Sequence, residues 1–265
     1  MTAAANRPCP GAAVVAEALT LARGGNVALS DASFSIAAGT VSAVIGPNGA
    51  GKSTLLHAIA GLLAPAAGTL EVLGRTAGPG SSDVAYVLQG TRVHEHLPVS
   101  VREVVAMGRY AALGPFRRMR PGDDAAISSA MERLDIADLA SRQIRELSGG
   151  QRQRVFVAQG IAQEAPVLLL DEPVTGLDLV SRRRILEVVT AERVAGRAVV
   201  MTTHDLGEAA HADHVLLLAG RVVASGPPEE VLVSTSLAEA YGQRLVHLGD
   251  NVVMLDDAPH HHHPH

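Results

Sequence analysis

Of the 22 lysine and arginine residues in this chain, one alone is a lysine, Lys52. It stands in Gly46-Pro47-Asn48-Gly49-Ala50-Gly51-Lys52-Ser53-Thr54, which fits the phosphate-binding spacing G-x-x-x-x-G-K-[ST]. A compact ammonium with rotatable donors reaches between the β- and γ-phosphates of a nucleotide, where a planar guanidinium fork is too broad. The hydroxyl of Ser53 is placed to ligate Mg²⁺. A second group follows the apolar run Val167-Leu168-Leu169-Leu170, which ends in Asp171 and Glu172. Ligands bind at the C-terminal edge of such a strand in an open α/β sheet. There Asp171 would hold Mg²⁺, usually through water, and Glu172 would polarise an attacking water as general base. A third group is Leu147-Ser148-Gly149-Gly150-Gln151, where Ser148 is a natural N-cap and two glycines let backbone N–H groups approach an anion.

These residues need a scaffold that presents them together. Val41–Ile45 is a short β-branched run leading into the glycine loop, and Ser53–Ala60 follows as a helix with an apolar face, closed by Gly61. Strand, loop and helix in that order surround phosphates with backbone N–H groups and a helix N-terminus. We read an antiparallel β region from Val14 to Ile45, with strands at Leu19–Ala22, Ser33–Ala37 and Val41–Ile45, and further strands near Thr69–Val72 and Val84–Leu88. Helices are expected at Val99–Gly108, at Asp123–Leu134 with Asp123 as the cap, and from Gly149. After Pro166 the pattern alternates: strand Val167–Leu170, helix Leu179–Ala195, strand Ala198–Thr202, helix Leu206–Ala212, then strands His214–Leu218 and Arg221–Ala224. Such alternation implies a parallel sheet covered on both faces, interrupted here by a helical subdomain at about 90–165.

Composition narrows the class. The chain has 265 residues, enough for one large domain, and a net charge of −5 with no basic stripe, so nucleic acid is not an expected partner. The single cysteine, Cys9, lies in an irregular leader and suits a reducing compartment. No apolar run approaches the roughly 20 residues needed to cross a bilayer. The stretch Ala13–Ala22, interrupted by Glu17, does not read as a secretory signal.

The order of these motifs resembles the nucleotide-binding subunit of ATP-binding-cassette (ABC) transporters, over about residues 14–235. The resemblance implies a P-loop NTPase (RecA-like) α/β fold with an antiparallel β subdomain and an inserted helical subdomain. It leaves residues 1–13 as a leader and 236–265 as a C-terminal extension. It implies an ATPase using ATP and Mg²⁺, and a homodimer in which Ser148, Gly149, Gly150 and Gln151 of one subunit cap the γ-phosphate held by the other. Gly176-Leu177-Asp178 is similar to the loop that communicates across that dimer, so Asp178 joins the residues acting in trans. Gln89 matches the glutamine that senses Mg²⁺ and faces the membrane subunit, and Thr202-Thr203-His204-Asp205 matches the switch whose histidine contacts the γ-phosphate. Two departures stand out. Arg23 occupies the place of the family's adenine-stacking aromatic, where its guanidinium plane could stack instead. Gln159 replaces an arginine of the signature helix.

Cargo must be read from other text. Leu97–Tyr110, with Met107-Gly108-Arg109 at its end, and Gly114-Pro115-Phe116-Arg117-Arg118 resemble the metal-ion importer ATPases, and Val157–Gln163 is more similar to the zinc members than to the manganese ones. Siderophore and cobalamin importers carry similar text. The resemblance implies a partner permease, an extracytoplasmic metal-binding protein and a place on the cytoplasmic face of the membrane. The last six residues hold five of the twelve histidines. Imidazole suits Zn²⁺, whereas Mn²⁺ prefers oxygen ligands, so this tail is either a metal-binding segment, a purification tag or a solvated low-complexity end. His94-Glu95-His96 reads first as surface decoration. The expectation is therefore import of a divalent transition metal, zinc first, with manganese or an iron chelate as alternatives. A soluble ABC ATPase uncoupled from transport is the reading from another class. Such proteins usually carry tandem cassettes or a long coiled-coil insertion, and neither occurs here.

Overall fold

In the computed structural model residues 11–88, 98–113 and 119–242 are described, with backbone alone at 111–112 and in a hairpin at 245–248 and 252–255. The first strands, β1 (Ala12–Arg23) and β2 (Asn26–Ala37), pair antiparallel around Gly24-Gly25. Both are longer than the expected Leu19–Ala22 and Ser33–Ala37. The β1–β2 register shifts between Ala16 and Leu19, around Ala18 at φ 45°, and Asp31 in β2 has φ 47°. An extra residue in a strand moves the following apolar side chains to the other face, so one bulged strand reads in sequence as two fragments.

The next strand, β3 (Val41–Ile45), leaves that sheet, which corrects its expected place in the antiparallel region. It lies inside a six-stranded sheet and is buried at all five positions. Apolar residues without alternation mark a parallel strand covered on both faces. From it the chain enters α1 (Lys52–Ile59), and β4 (Ala67–Val72) and β5 (Arg75–Thr76) then complete the first sheet in the order β2-β1-β4-β5. The larger sheet also contains β6 (Val84–Val87), β7 (Val167–Leu170), β8 (Ala198–Thr202), β9 (His214–Leu218) and β10 (Val222–Gly226). Its order is β10-β9-β3-β8-β7-β6, with β10 antiparallel and all other neighbours parallel. Helix α1 is held between the two sheets: Leu55 and Leu56 are fully buried in one apolar cluster with Leu21 and Phe34 from one side and Val44 and Leu169 from the other. Burial of each such leucine contributes roughly 1.5–3 kcal/mol.

The opposite face of the sheet carries α2 (Val101–Leu113), α3 (Pro121–Arg133), α4 (Gly149–Ala162) and α5 (Leu179–Val194), which share one core with Leu168, Leu170 and Met201. Helix α3 begins two residues before its expected start. Its N-cap is Arg120, and Asp123 is the third helical residue, returning its carboxylate to the Arg120 N–H at 2.8 Å. The same carboxylate accepts from Arg109 at 2.9 Å, and Arg109 also pairs with Glu164 at 2.7 Å and donates to the Ala162 carbonyl at 2.9 Å. Arg109 thereby ties α2, α3 and the end of α4. Where α2 crosses α4, a Cβ on Gly108 would stand 2.1 Å from the Gln159 carbonyl oxygen, so the two backbones touch. The remaining helices, α6 (Leu206–Ala210), α7 (Pro228–Val231) and α8 (Ser234–Tyr241), pack on the β9–β3 edge. The backbone of β11 (Leu245–Leu248) and β12 (Val252–Leu255) forms the separate hairpin.

A buried carboxylate joins the helical region to the sheet side. Glu192 of α5, 2% exposed, accepts from Arg133 of α3 at 2.5 Å and from Arg197. Removing Glu192 leaves two partly exposed guanidinium groups, Arg133 and Arg197, without their shared acceptor. Glu192→Ala is therefore expected to lower unfolding stability by about 1–3 kcal/mol, measured as a shift of the urea midpoint. Glu192→Gln, which keeps the acceptor oxygen, loses less.

Candidate active site

The glycine loop is shaped by what lies against it. Gly46 has φ 149°, and a Cβ there would stand 2.1 Å from the Leu218 carbonyl oxygen of β9. Any side chain would push the loop off the sheet. Gly51, at φ 98°, starts α1 with no side-chain cap. The first N–H groups of a helix lack intrahelical partners, and here no side chain takes them, so an anion can. Lys52 is 7% exposed, and its Nζ donates to the carbonyls of Gly46 at 2.7 Å and Pro47 at 3.1 Å. Burial lowers its pKa, and the carboxylates of Glu172 and Asp171 work against that fall.

Those carboxylates arrive from the neighbouring strand ends. Parallel register aligns Leu170 with Met201 on β8 and Val44 with Thr202, so β3, β7 and β8 deliver their last residues to one edge. Asp171 is 4% exposed, and its two oxygens accept from two hydroxyls, Thr202 at 2.6 Å and Tyr86 at 3.3 Å. The Thr202 hydroxyl also accepts from the Glu172 N–H at 2.8 Å. Glu172 takes φ 48°, a left-handed conformation that costs a non-glycine residue about 1–3 kcal/mol. This backbone turn aims its side chain at the end of β8, where its Oε2 lies 2.9 Å from His204 Nε2.

The residues expected to act in trans form a second group. Ser148 caps α4, accepting from the Gln151 N–H at 3.2 Å, and the Gln151 side chain accepts from the Ser148 N–H at 3.0 Å. Asp178 caps α5 through the Ser181 N–H at 2.9 Å, a bond that holds its carboxyl below the ordinary range. The two caps touch: a Cβ on Gly150 would meet Ser181 Oγ at 2.5 Å and Asp178 Oδ2 at 2.6 Å. Gly149 beside it is exposed. Within one chain, then, Ser148–Gln151 meet Asp178, while Lys52 lies within electrostatic reach of Asp171 and Glu172.

Arg23 closes β1 as an exposed residue opposite Asn26. Its charge reaches α1, where burial and then Arg23 lower the pKa of His57. The His57 ring lies edge-on to Tyr86, centroids 5.6 Å apart. Burial, then Asp171, pushes the Tyr86 phenol well above its ordinary pKa. Sequence reasoning missed Tyr86. Its signal was a hydroxyl-bearing side chain on a short buried strand, in a chain of only 2% aromatics. Gln89 and the segments His94–His96, Gly114–Arg118 and His260–His265 lie outside the described residues.

Two carbonyls converge on the single Nζ of Lys52, an arrangement that suits a compact ammonium better than a planar guanidinium fork. Lys52→Arg is therefore expected to weaken ATP binding at least about tenfold, the size of one charge-assisted hydrogen bond, despite conserving charge. Equilibrium titration with ATP checks it, and binding within twofold of the parent would show that charge alone suffices.

Comparison with known proteins places the chain in a family. The ABC transporter family pattern matches residues 29–175. The chain is 39% identical over 88% of its length to the chelated iron transport system membrane protein YfeB of Yersinia pestis, covering 80% of that protein. It is 38% identical over 85% of its length to the manganese transport system ATP-binding protein MntB of Bacillus subtilis, covering 90%. It is 39% identical over 88% to the zinc transport system ATP-binding protein TroB of Treponema pallidum, covering 88%. Among solved structures, an inward-facing ABC transporter described as of the metal-chelate type superposes with a TM-score of 0.76 at 30% identity, over 88% of this chain and 89% of that one. With motifs, strand order and relatives in agreement, the chain belongs to the ABC transporter family as one of its ATP-binding, ATP-hydrolysing subunits.

Proposed function

We propose that this chain energises a separate membrane permease that imports a divalent transition metal, zinc first. The observation that carries the catalytic part is the Glu172–His204 pair at 2.9 Å, anchored through the Thr202 hydroxyl to Asp171. In this reading Gly46–Thr54 wrap the phosphates with backbone N–H groups, and Lys52 exchanges its two loop carbonyls for phosphate oxygens. Arg23 offers its guanidinium plane to the base. The hydroxyl of Ser53, the carboxylate of Asp171 and the side chain of Gln89 would hold Mg²⁺. An all-oxygen donor set with few carboxylates suits that ion, which keeps waters and binds mainly through substrate phosphates. Among the described residues no group of three or more His, Cys, Asp or Glu side chains offers a dedicated metal cage. Mg²⁺, when bound, neutralises charge on the β- and γ-phosphates.

Glu172 orients the attacking water and takes its proton, and His204 holds Glu172 and contacts the γ-phosphate. Ser148, Gly149, Gly150, Gln151 and Asp178 act on the nucleotide of a second copy, so the hydrolysing unit is a homodimer. Among the described residues no helix is long and apolar enough to cross a membrane. Coupling therefore runs through permease subunits with an extracytoplasmic binding protein, this chain docking at the cytoplasmic face. The unit that does this spans about 14–235.

Cargo rests on likeness to the metal transport systems of YfeB, MntB and TroB. Zinc is preferred for the five terminal histidines, whose nitrogen ligands suit Zn²⁺ over Mn²⁺. Likeness to MntB favours manganese as the second reading. In metal-starved cells, Glu172→Gln is expected to bind ATP, to lose hydrolysis by about a hundredfold or more, and to lower cell zinc selectively. A selective fall in manganese would establish the second reading, and an unchanged elemental profile with ATP binding intact would sink metal import.

A further inference from the structure

The residue that links the two halves of the site belongs to neither. Arg182 lies in the first turn of α5, four residues after the cap Asp178. Its Nη2 reaches both Asp205 Oδ2 at 2.8 Å and Glu208 Oε1 at 3.0 Å. Asp205 is the N-cap of α6, accepting from the N–H groups of Gly207 at 2.7 Å and Glu208 at 3.2 Å. Glu208, 5% exposed, accepts in turn from the Thr203 hydroxyl at 2.5 Å, and that hydroxyl accepts from the Asp205 N–H at 3.0 Å. His204 is the residue between Thr203 and Asp205. One guanidinium therefore closes a ring of polar bonds around the turn that carries the histidine.

The chemistry of the ring shows why a cation is needed there. Asp205 and Glu208 bring two carboxylates to the start of one short helix, and like charges at that spacing repel. A positively charged amino group with two hydrogens, here Nη2, faces both carboxylates at once and offsets their repulsion, which a neutral side chain does not. Without it Glu208 would turn outward to water and release Thr203. Arg182 also lines a cavity of about 430 Å³, together with Leu186, Val189, Met201 and Arg193 from one side and Gly207 and Glu208 of α6 from the other.

We propose that Arg182 is a positioning residue for ATP hydrolysis: by clamping Asp205 and Glu208 to the first turn of α5, it holds His204 against Glu172. Because α5 starts at Asp178 and Asp178 packs on Gly150, the clamp also carries any shift of that cap to His204. The proposal rests on the reading of Glu172 and His204 given above.

The test compares full-length Arg182→Met, Arg182→Lys and Arg193→Met chains. Arg193 lines the same cavity and pairs with Asp213 at 2.8 Å, away from the switch turn, so it controls for loss of a surface ion pair. Misplacing a catalytic group by about 1 Å costs on the order of a hundredfold, so Arg182→Met is expected to lower kcat for Mg-ATP about ten- to a hundredfold. KM and ATP affinity should stay within about twofold, Arg182→Lys should recover most of the loss, and Arg193→Met should match the parent. Independently of turnover, the ring signal of His204 in ¹⁵N-histidine-labelled protein, assigned by its absence in His204→Ala, should move in Arg182→Met and not in Arg193→Met. An unmoved His204 signal, unchanged kcat, or a kcat loss accompanied by an equal rise in KM or by a fallen thermal midpoint shared with Arg193→Met would overturn the assignment. If Glu172→Gln and His204→Ala themselves hydrolyse ATP normally, the underlying reading of the site fails, whatever Arg182 does.

Discussion

The hydroxyl of Thr202 is the point on which the site turns. It donates to the Asp171 carboxylate and accepts from the Glu172 N–H, joining the ends of two parallel strands through one buried oxygen. A hydroxyl can do both because it carries a donor and two lone pairs. The bond to the Glu172 N–H offsets the strain of a left-handed glutamate, since an unmade hydrogen bond at a buried N–H costs about 1–3 kcal/mol. The strained turn then sends the two adjacent carboxylates in different directions, Asp171 into the protein and Glu172 toward His204. Two neighbouring acids thereby acquire different surroundings, the precondition for different roles.

Charge explains the spacing of the rest. Lys52 and the two carboxylates face one another across the loop, and burial weakens the charged form of the ammonium while the carboxylates sustain it. The Gly46 and Pro47 carbonyls accept from that ammonium. Such a site holds its cation in place beforehand, so that little reorganisation is needed as the reaction proceeds.

Much of this was legible in the residues, and the exceptions have physical causes. Lys52, Ser148, Asp171 and Glu172 stand out because local chemistry demands a given side chain at a given spacing, whereas His204 stands out only through the family resemblance. The strands β7, β8 and β9 were readable to the residue, being buried at every position but His214 and bounded by turns. β1 and β2 were read as fragments because bulges reverse their alternation, and β3 was placed in the wrong sheet because a short apolar run does not state its partners. Asp123 was taken for a cap because the bond between its side chain and the Arg120 N–H looks alike from either end. Tyr86 and Arg182 escaped because their partners lie 85 and 23 or more residues away, and only the folded sheet brings them together.

The same distinction limits what the middle of the chain says about cargo. Leu97–Tyr110, Gly114–Arg118 and Val157–Gln163 carry the likeness to metal importers, yet within them Gly108 and Gln159 meet where α2 crosses α4, and Arg109 is engaged by Asp123, Glu164 and the end of α4. A glycine whose Cβ would clash with a facing backbone is required by that crossing whatever is transported. A largely buried arginine that ties its own helix to two others is required by the packing of those elements. This text therefore speaks first for a shared way of assembling the helices, and through them for a shared shape offered to a permease. The metal is chosen by whatever touches it, and none of these side chains is placed to do so.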